Sequence, residues 1–425
     1  MLLPGLYVGE PLSFTDALFT ATSAVCVTGL IVVDTATYFT RAGQAYVLLL
    51  IQLGGIGILT FATLVILALG RRISLRHEAA TATQAEVAPE VDVRQLVRSI
   101  VRFTFAFEAV GAAVLFVAWL PTFGSGAAWH AVFHAVSAFC NAGFSTFSDS
   151  LMGFQDAPAI LACVMILVFL GGIGFVTLEE LNLWWRERRT GARFQLSLHS
   201  RLALTATVVV AMGGWAAFAA LEWTHTLTQM PGWQRWLNAL FMSITARTAG
   251  FNTIDYSVAA DSTNFLTILL MSIGGSPGSM AGGLKATTVA VIGVLAWSRL
   301  RGRTMTSVWG RTIPNETVQR AVGLFVVAFG MVTGSILLYA VIQIEPSTAS
   351  DPSHFLRYMF EAVSAFNTVG LSMGATGELE TPAKLLTVFL MYVGRVGPLS
   401  FAAGIALQRG SKEHFRYAYE DVVIG

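Results

Sequence analysis

Apolar stretches along this chain come in two lengths. Seven are long enough for the roughly 20 residues that a membrane helix needs: 44–69, 97–120, 158–182, 202–223, 264–297, 320–343 and 383–408. Four shorter ones, 13–24, 128–139, 235–246 and 354–366, are too short to span. Each short piece runs straight into a hairpin of small residues: Val27-Thr28-Gly29, Asn141-Ala142-Gly143, Thr248-Ala249-Gly250 and Thr368-Val369-Gly370. The glycines lie 114, 107 and 120 residues apart. This pattern predicts four re-entrant pore helices, each entering the membrane, turning and leaving as extended backbone. Irregular backbone at that depth survives only where it is buried in protein or lines a wet cavity.

A second marker keeps the same register. The helix after each hairpin carries a glycine cluster: Gly54-Gly55-Ile56-Gly57, Gly171-Gly172-Ile173-Gly174, Gly274-Gly275-Ser276-Pro277-Gly278 and Gly394-Arg395-Val396-Gly397-Pro398. Glycine lets membrane helices approach closely, so these second helices are expected to cross near an axis below the hairpins. The fold class is all-α integral membrane, with four helix–pore helix–hairpin–helix repeats around a central pore. The expected repeats are 1–70, 96–183, 201–298 and 320–408. They are joined by linkers 71–95, 184–200 and 299–319 and followed by a tail, 409–425. The first repeat opens directly on its pore helix, so its first membrane helix is expected upstream of Met1.

Composition agrees with a membrane protein. Mean hydropathy is +0.66 and only 12% of residues are charged, against about 25% in soluble domains. Arginines gather after each second helix, in 71–98, 186–201 and 299–320, and the tail adds Arg409, Lys412 and Arg416. Such clusters mark the cytoplasmic side. The hairpin side carries Glu10, Asp16, Asp34, Asp149, Asp156, Asp255, Asp261, Glu378 and Glu380. Acidic residues around an outer mouth raise the local cation concentration.

A site built four times around one axis can surround an object, and the natural object is a dehydrated cation. Its lost hydration must be replaced by several oxygens at fixed spacing, which rings of backbone carbonyls supply for potassium. Glycine allows the dihedrals and the close approach, and the pore helices point their negative dipole ends at the ion. The twelve hairpin residues named above are the expected ligands, through their backbone carbonyls.

The segment 264–297 is too long for one straight crossing. Its centre, Gly274-Gly275-Ser276-Pro277-Gly278-Ser279-Met280-Ala281-Gly282-Gly283-Leu284-Lys285, is incompatible with helix, since glycine costs about 1 kcal/mol and proline about 3 kcal/mol relative to alanine. An intramembrane loop facing the pore is expected there, placed to plug the conduit. Two charges at membrane depth belong with it. Arg395 is expected to latch the loop through its free carbonyls and to add a positive barrier, its five donors suiting that task. Lys285 either does likewise or snorkels to the cytoplasmic surface. Glu108, Glu179 and Glu180 are further intramembrane candidates. Cys26, Cys140 and Cys163 have no metal or disulfide spacing and read as packing residues, and thiol reagents are expected to report on the hairpins next to Cys26 and Cys140. No nucleophile–base pair, metal cluster or phosphate loop competes, so an enzyme is not expected; the Gly274–Gly278 run lacks the Gly-Lys-Ser/Thr of a nucleotide loop.

These residues resemble the superfamily of Trk, Ktr and HKT potassium transporters, over nearly the whole chain, and most of all the KtrB-type membrane subunits of bacteria. The resemblance is carried by Asp16-Ala17-Leu18-Phe19-Thr20-Ala21 leading to Val27-Thr28-Gly29-Leu30, by Ser137-Ala138-Phe139 leading to Asn141-Ala142-Gly143-Phe144, by Arg247-Thr248-Ala249-Gly250-Phe251-Asn252, by Ser364-Ala365-Phe366 leading to Thr368-Val369-Gly370-Leu371, and by Gly274–Lys285 and Gly394–Pro398. It implies potassium uptake across the bacterial cytoplasmic membrane. It further implies a homodimer with one pore per protomer, seated on a cytosolic ring of nucleotide-binding RCK (KtrA-like) subunits. Potassium is then the substrate, sodium an activator in many Ktr systems, and no organic cofactor or nucleic acid partner is expected. Glycine at all four filter positions goes with potassium over sodium in this superfamily. A less selective potassium/sodium pathway and a Trk-type transporter are the alternatives.

Overall fold

The computed structural model describes residues 1–57, 93–190, 195–343 and 353–397. The expected linker arginines Arg71, Arg72, Arg76 and Arg193, residue Pro398 and the whole tail lie outside the described residues. The described chain is helical almost throughout. The helices are α1 (Phe14–Val25), α2 (Thr35–Tyr38), α3 (Arg41–Ile56), α4 (Val93–Phe123), α5 (Ala127–Phe139), α6 (Pro158–Ile173), α7 (Phe175–Thr190) and α8 (Leu198–Glu222). They continue as α9 (Gly232–Thr245), α10 (Asp261–Met271), α11 (Ala286–Leu300), α12 (Asn315–Ile342), α13 (Ser353–Phe366) and α14 (Thr381–Val396).

The four short apolar pieces form α1, α5, α9 and α13, of 12, 13, 14 and 14 residues. Among the described residues, Val97–Phe139, Leu198–Glu222 and Asn315–Ile342 are long and apolar enough to cross a membrane. The first of these runs takes in α4 and α5, which meet at a 3-10 turn over Gly124–Gly126.

Three of the long segments expected to be single helices have a described helix that ends at a glycine. Helices α3, α6 and α14 are each 16 residues long and end at Gly57, Gly174 and Gly397, with φ of 91°, 95° and 90° and ψ of 132°, 140° and 136°. Those dihedrals leave the helical region and are open to glycine alone at little cost. At Gly174 the chain bends by 103° into α7, and the Phe175 N–H donates to the Gly278 carbonyl at 2.9 Å instead of continuing the helix. The third unit breaks differently: α10 stops at Met271, and the loop runs to α11 as its glycines and proline dictate.

Packing closes the chain into a ring. Each second helix packs on the pore helix of the next unit: α3 on α5, α6 on α9, α10 on α13, and α14 back on α1. A 2.7 Å ion pair between Lys384 of α14 and Asp16 of α1 fastens that closure. The glycine clusters of the second and third units meet, a Cβ on Gly275 lying 2.9 Å from the Gly172 carbonyl, and the clusters also serve within each unit. A Cβ on Gly54, Gly171 or Gly394 would strike the backbone carbonyl of Val25, Phe139 or Phe366, so each glycine seats its helix on the end of its own pore helix. One departure from an all-α chain is a short antiparallel pair, Ser307–Val308 with Arg311–Thr312. Its two-residue turn places Trp309 and Gly310 at positive φ, 48° and 74°, as a type I′ hairpin requires.

Candidate functional site: a four-sided ring and the loop beneath it

After each pore helix the backbone takes the same unusual path. The first residue of each hairpin is left-handed: Val27, Asn141, Thr248 and Thr368 have φ of 57°, 58°, 67° and 51°. The third, Gly29, Gly143, Gly250 or Gly370, is again positive, at 93°, 69°, 76° and 93°. Left-handed geometry costs a non-glycine residue about 1–2 kcal/mol, and such strain concentrates at functional sites. The same strained turn recurs at all four hairpins.

The N–H groups of these hairpins turn back to the pore helices. Thr28, Ala142 and Val369 donate to the carbonyls of Ser23, Ser137 and Ser364 at 2.8, 2.7 and 2.9 Å, and Ala249 donates to that of Thr245 at 3.0 Å. The hydroxyls of Ser23 and Ser364 accept from Gly29 N and Gly370 N at 3.2 and 3.1 Å. In the third unit the serine is replaced by Ile244, and Gly250 N donates to the Thr245 carbonyl. Among the described residues no hydrogen bond reaches a carbonyl of the twelve hairpin residues. The middle side chains, Thr28, Ala142, Ala249 and Val369, are fully buried. Most of the donors are therefore spent inside the protein, while none of the twelve carbonyl oxygens accepts a hydrogen bond from a described residue.

The hairpins meet in cyclic order. A Cβ on Gly29 would lie 2.5 Å from the Ala142 oxygen, and one on Gly143 would lie 2.9 Å from the Ala249 oxygen. One on Gly250 would strike the Val369 oxygen, and one on Gly370 the Thr28 oxygen. Above them opens a cavity of about 310 Å³, lined by all four glycines and by Asp34, Asp149 and Asp255. Of the other expected mouth acids, Asp16 pairs with Lys384, and Glu378 pairs with Arg357 at 3.0 Å.

Beneath the ring lies the loop 274–285. Its ends clasp each other, Gly274 N donating to the Leu284 carbonyl at 2.8 Å and Ala286 N to that of Gly275 at 2.9 Å. Ser276 N and Met280 N donate to the carbonyls of Gly172 and Gly171 at 2.9 and 3.0 Å, and Gly283 N donates to that of Gly394 at 3.0 Å. Pro277 and Gly278 make the turn, and the Ser279 hydroxyl accepts from Ala281 N at 3.3 Å. Gly282 lies flat against Thr368, whose side chain a Cβ would strike. Arg395 donates to the Met280 carbonyl and to those of Gly54 and Gly55 on α3, the last at 3.1 Å. Lys285 Nζ donates to the loop's own Ala281 carbonyl at 2.8 Å.

Other candidates are placed as follows. Glu108 is buried, accepting from Gln52 Nε2 at 3.2 Å, and Glu180 accepts from Ser197 N at 2.9 Å. Cys26 and Cys140 are buried, at 4% and 0% exposure, which argues against the expectation that thiol reagents report on the hairpins. Sequence reasoning missed the roles of Ser23 and Ser364; the signal was a serine six residues before the hairpin glycine in three units of four. It also missed Asn367, whose side-chain oxygen accepts from Leu284 N at 3.2 Å.

The family model described as TrkH, cation transport protein, matches residues 3–417. The potassium/sodium uptake protein NtpJ of Enterococcus hirae is 36% identical over 422 residues, covering 98% of this chain and 91% of that protein. The Ktr system potassium uptake protein B of Vibrio alginolyticus is 36% identical over 97% of this chain and 89% of its own length. The protein of that name from Bacillus subtilis is 36% identical over 100% and 92%. In fold, the crystal structure of the potassium transporter TrkH from Vibrio parahaemolyticus superposes with a TM-score of 0.71 at 20% identity, covering 93% of this chain and 79% of that one. With a helical fold, a family match over almost its whole length and relatives that are integral membrane transporters, this multi-pass membrane chain belongs to the TrkH family of cation transport proteins.

Proposed function

We propose that the chain is the pore subunit of a Ktr-type potassium uptake system, acting in a bacterial cytoplasmic membrane. The observation that carries this reading is the ring of four strained hairpins whose carbonyl oxygens are left without hydrogen bonds. Unpaired carbonyls in the interior are costly unless something else satisfies them, and a dehydrated cation does so. The twelve hairpin residues form the filter, each unit of the chain contributing one side. Potassium as the cargo is supported by the names of the relatives above. The acidic cavity over the ring gathers cations from outside.

The loop 274–285 is the gate. It hangs from the second and fourth units below the filter, and Arg395 latches it by holding the Met280 carbonyl against α3. Opening must break those bonds. Lys285 folds back on the loop itself, which supports a stiffening role over snorkelling. A homodimer resting on a cytosolic nucleotide-binding RCK ring supplies the force that shifts the loop, with sodium as an activator. A second reading, a less selective potassium/sodium pathway, has one specific support: the name of the Enterococcus relative includes both ions.

The test is growth at limiting potassium of a bacterium stripped of its own uptake systems, expressing this chain alone and with a cytosolic RCK partner. Rescue that Gly370→Ser abolishes and that Arg395→Ala frees from the partner supports filter and latch. Absence of rescue in every pairing, with good membrane expression, overturns the potassium reading. Equal rescue inhibition by sodium and rubidium selects the less selective pathway.

A further inference from the structure

Resting on the reading of the chain as a gated potassium pathway, we propose that Arg247 and Asn367 are positioning residues that tie the two ends of the loop 274–285 to the filter, so that the clasp at the loop's ends holds the filter in its discriminating shape. Both residues stand at the same place in their units, immediately before the left-handed residue that opens the hairpin: Arg247 before Thr248 and Asn367 before Thr368. Both are nearly fully buried, at 8% and 2% exposure.

Each grips one end of the loop. Arg247 donates to the Gly274 carbonyl at 3.4 Å and is itself steadied by the Thr207 hydroxyl and carbonyl, each at 3.3 Å. Asn367 accepts from Leu284 N at 3.2 Å while its amide nitrogen donates to the Val363 carbonyl at 3.1 Å. The two bonds fix which way the amide faces. Since Gly274 N also donates to the Leu284 carbonyl, the clasp that closes the loop is held from both sides. Gly283 is pressed onto Asn367 so closely that a Cβ there would strike its side chain and Cα.

The other two units lack this arrangement. Their corresponding residues are Cys26 and Cys140. The Cys140 thiol points to Gln52 and Glu108, at 3.8 Å each. Among the described residues neither cysteine hydrogen-bonds the loop. The loop ends are therefore held on the side of the ring formed by the third and fourth hairpins. A shift of Arg247 or Asn367 reaches a strained filter residue through a single peptide unit. Arg395 grips the same loop from α14 and α3 instead, so releasing it frees the loop with the clasp to the filter intact.

The experiment measures potassium and sodium fluxes into proteoliposomes holding the purified full chain with no regulatory protein. Arg395→Met is expected to raise potassium flux and leave the potassium-to-sodium ratio as in the parent. Asn367→Leu, similar in volume but without the acceptor, is expected to raise flux and to lower the ratio by about fivefold or more, the loss of one buried hydrogen bond. Should Asn367→Leu fail to give a monodisperse protein, Arg247→Met serves, with the same expectation. The inference is overturned if the working variant changes flux with the ratio unchanged, if it changes neither, or if Arg395→Met lowers the ratio equally. If neither the parent nor any of these variants moves potassium, the underlying reading is overturned, and this inference with it.

Discussion

Three of the four hairpin glycines, Gly143, Gly29 and Gly370, make a graded series, because alanine at each meets a different obstruction. All four have positive φ, so alanine pays a backbone cost of about 1–2 kcal/mol anywhere in the ring. What varies is the contact. At Gly143 the new methyl would stand 2.9 Å from the Ala249 oxygen and from Gly250 Cα, and its φ of 69° suits a left-handed residue. A small outward shift of the neighbouring strand relieves that. At Gly29 the methyl meets the Ala142 oxygen at 2.5 Å with φ at 93°, and at Gly370 it runs into the Thr28 oxygen from the same φ. There the struck carbonyl must swing away, and a carbonyl that swings no longer faces the axis. The expected order of damage to potassium/sodium discrimination is Gly143→Ala least, then Gly29→Ala, with Gly370→Ala worst. Losing about 1–3 kcal/mol of ion coordination corresponds to a loss of between about fivefold and a hundredfold in discrimination. Competition of sodium against rubidium uptake in proteoliposomes reads this directly. Three variants of equal effect, or Gly143→Ala as the most harmful, would refute the ring geometry from which the order is worked.

Neutralising the mouth with Asp149→Asn and Asp255→Asn together is expected to slow potassium uptake severalfold at low ionic strength and hardly at all near 1 M salt, where the screening length is about 3 Å; a salt-independent loss argues for a structural role instead. Charged thiol reagents are expected to leave Cys26 and Cys140 unmodified in the native protein and to label both after denaturation, as mass spectrometry will show. Gly394→Ala is expected to lower thermal stability by several degrees, because its methyl would strike the Phe366 carbonyl, whereas Gly334→Ala in α12, with open space around it, leaves stability unchanged or slightly raised; scanning fluorimetry in detergent separates the two.

The sequence by itself determined the parts. Pore helices of 12 to 14 residues follow from apolar runs too short to span, and the hairpins from glycines in register. The break in 264–297 follows from a density of glycine and proline that no helix tolerates. Those are local properties, carried by propensity and by the length a bilayer imposes. The glycines at 57, 174 and 397 were legible as a marker but not as helix ends. A single glycine inside an apolar run is compatible with continued helix, and only the surrounding structure, as in the bond from Phe175 N to the Gly278 carbonyl, decides that the chain turns there.

The relations between parts came from the tertiary structure alone. That α14 packs on α1, that each hairpin glycine faces a carbonyl of the next unit, and that Asn367 accepts a bond from a loop residue 83 positions away depend on ring closure. No local preference encodes ring closure. The exceptional residues Ile244, Arg247 and Asn367 show why. In the sequence they are departures from a fourfold pattern at single positions. Their meaning lies in the loop that interrupts the second helix of the third unit, where the other units end that helix at a single glycine. The four-part ring was written in repetition, and the loop beneath it was written in the breaks of that repetition, which become chemistry only once packing brings them to one side of the ring.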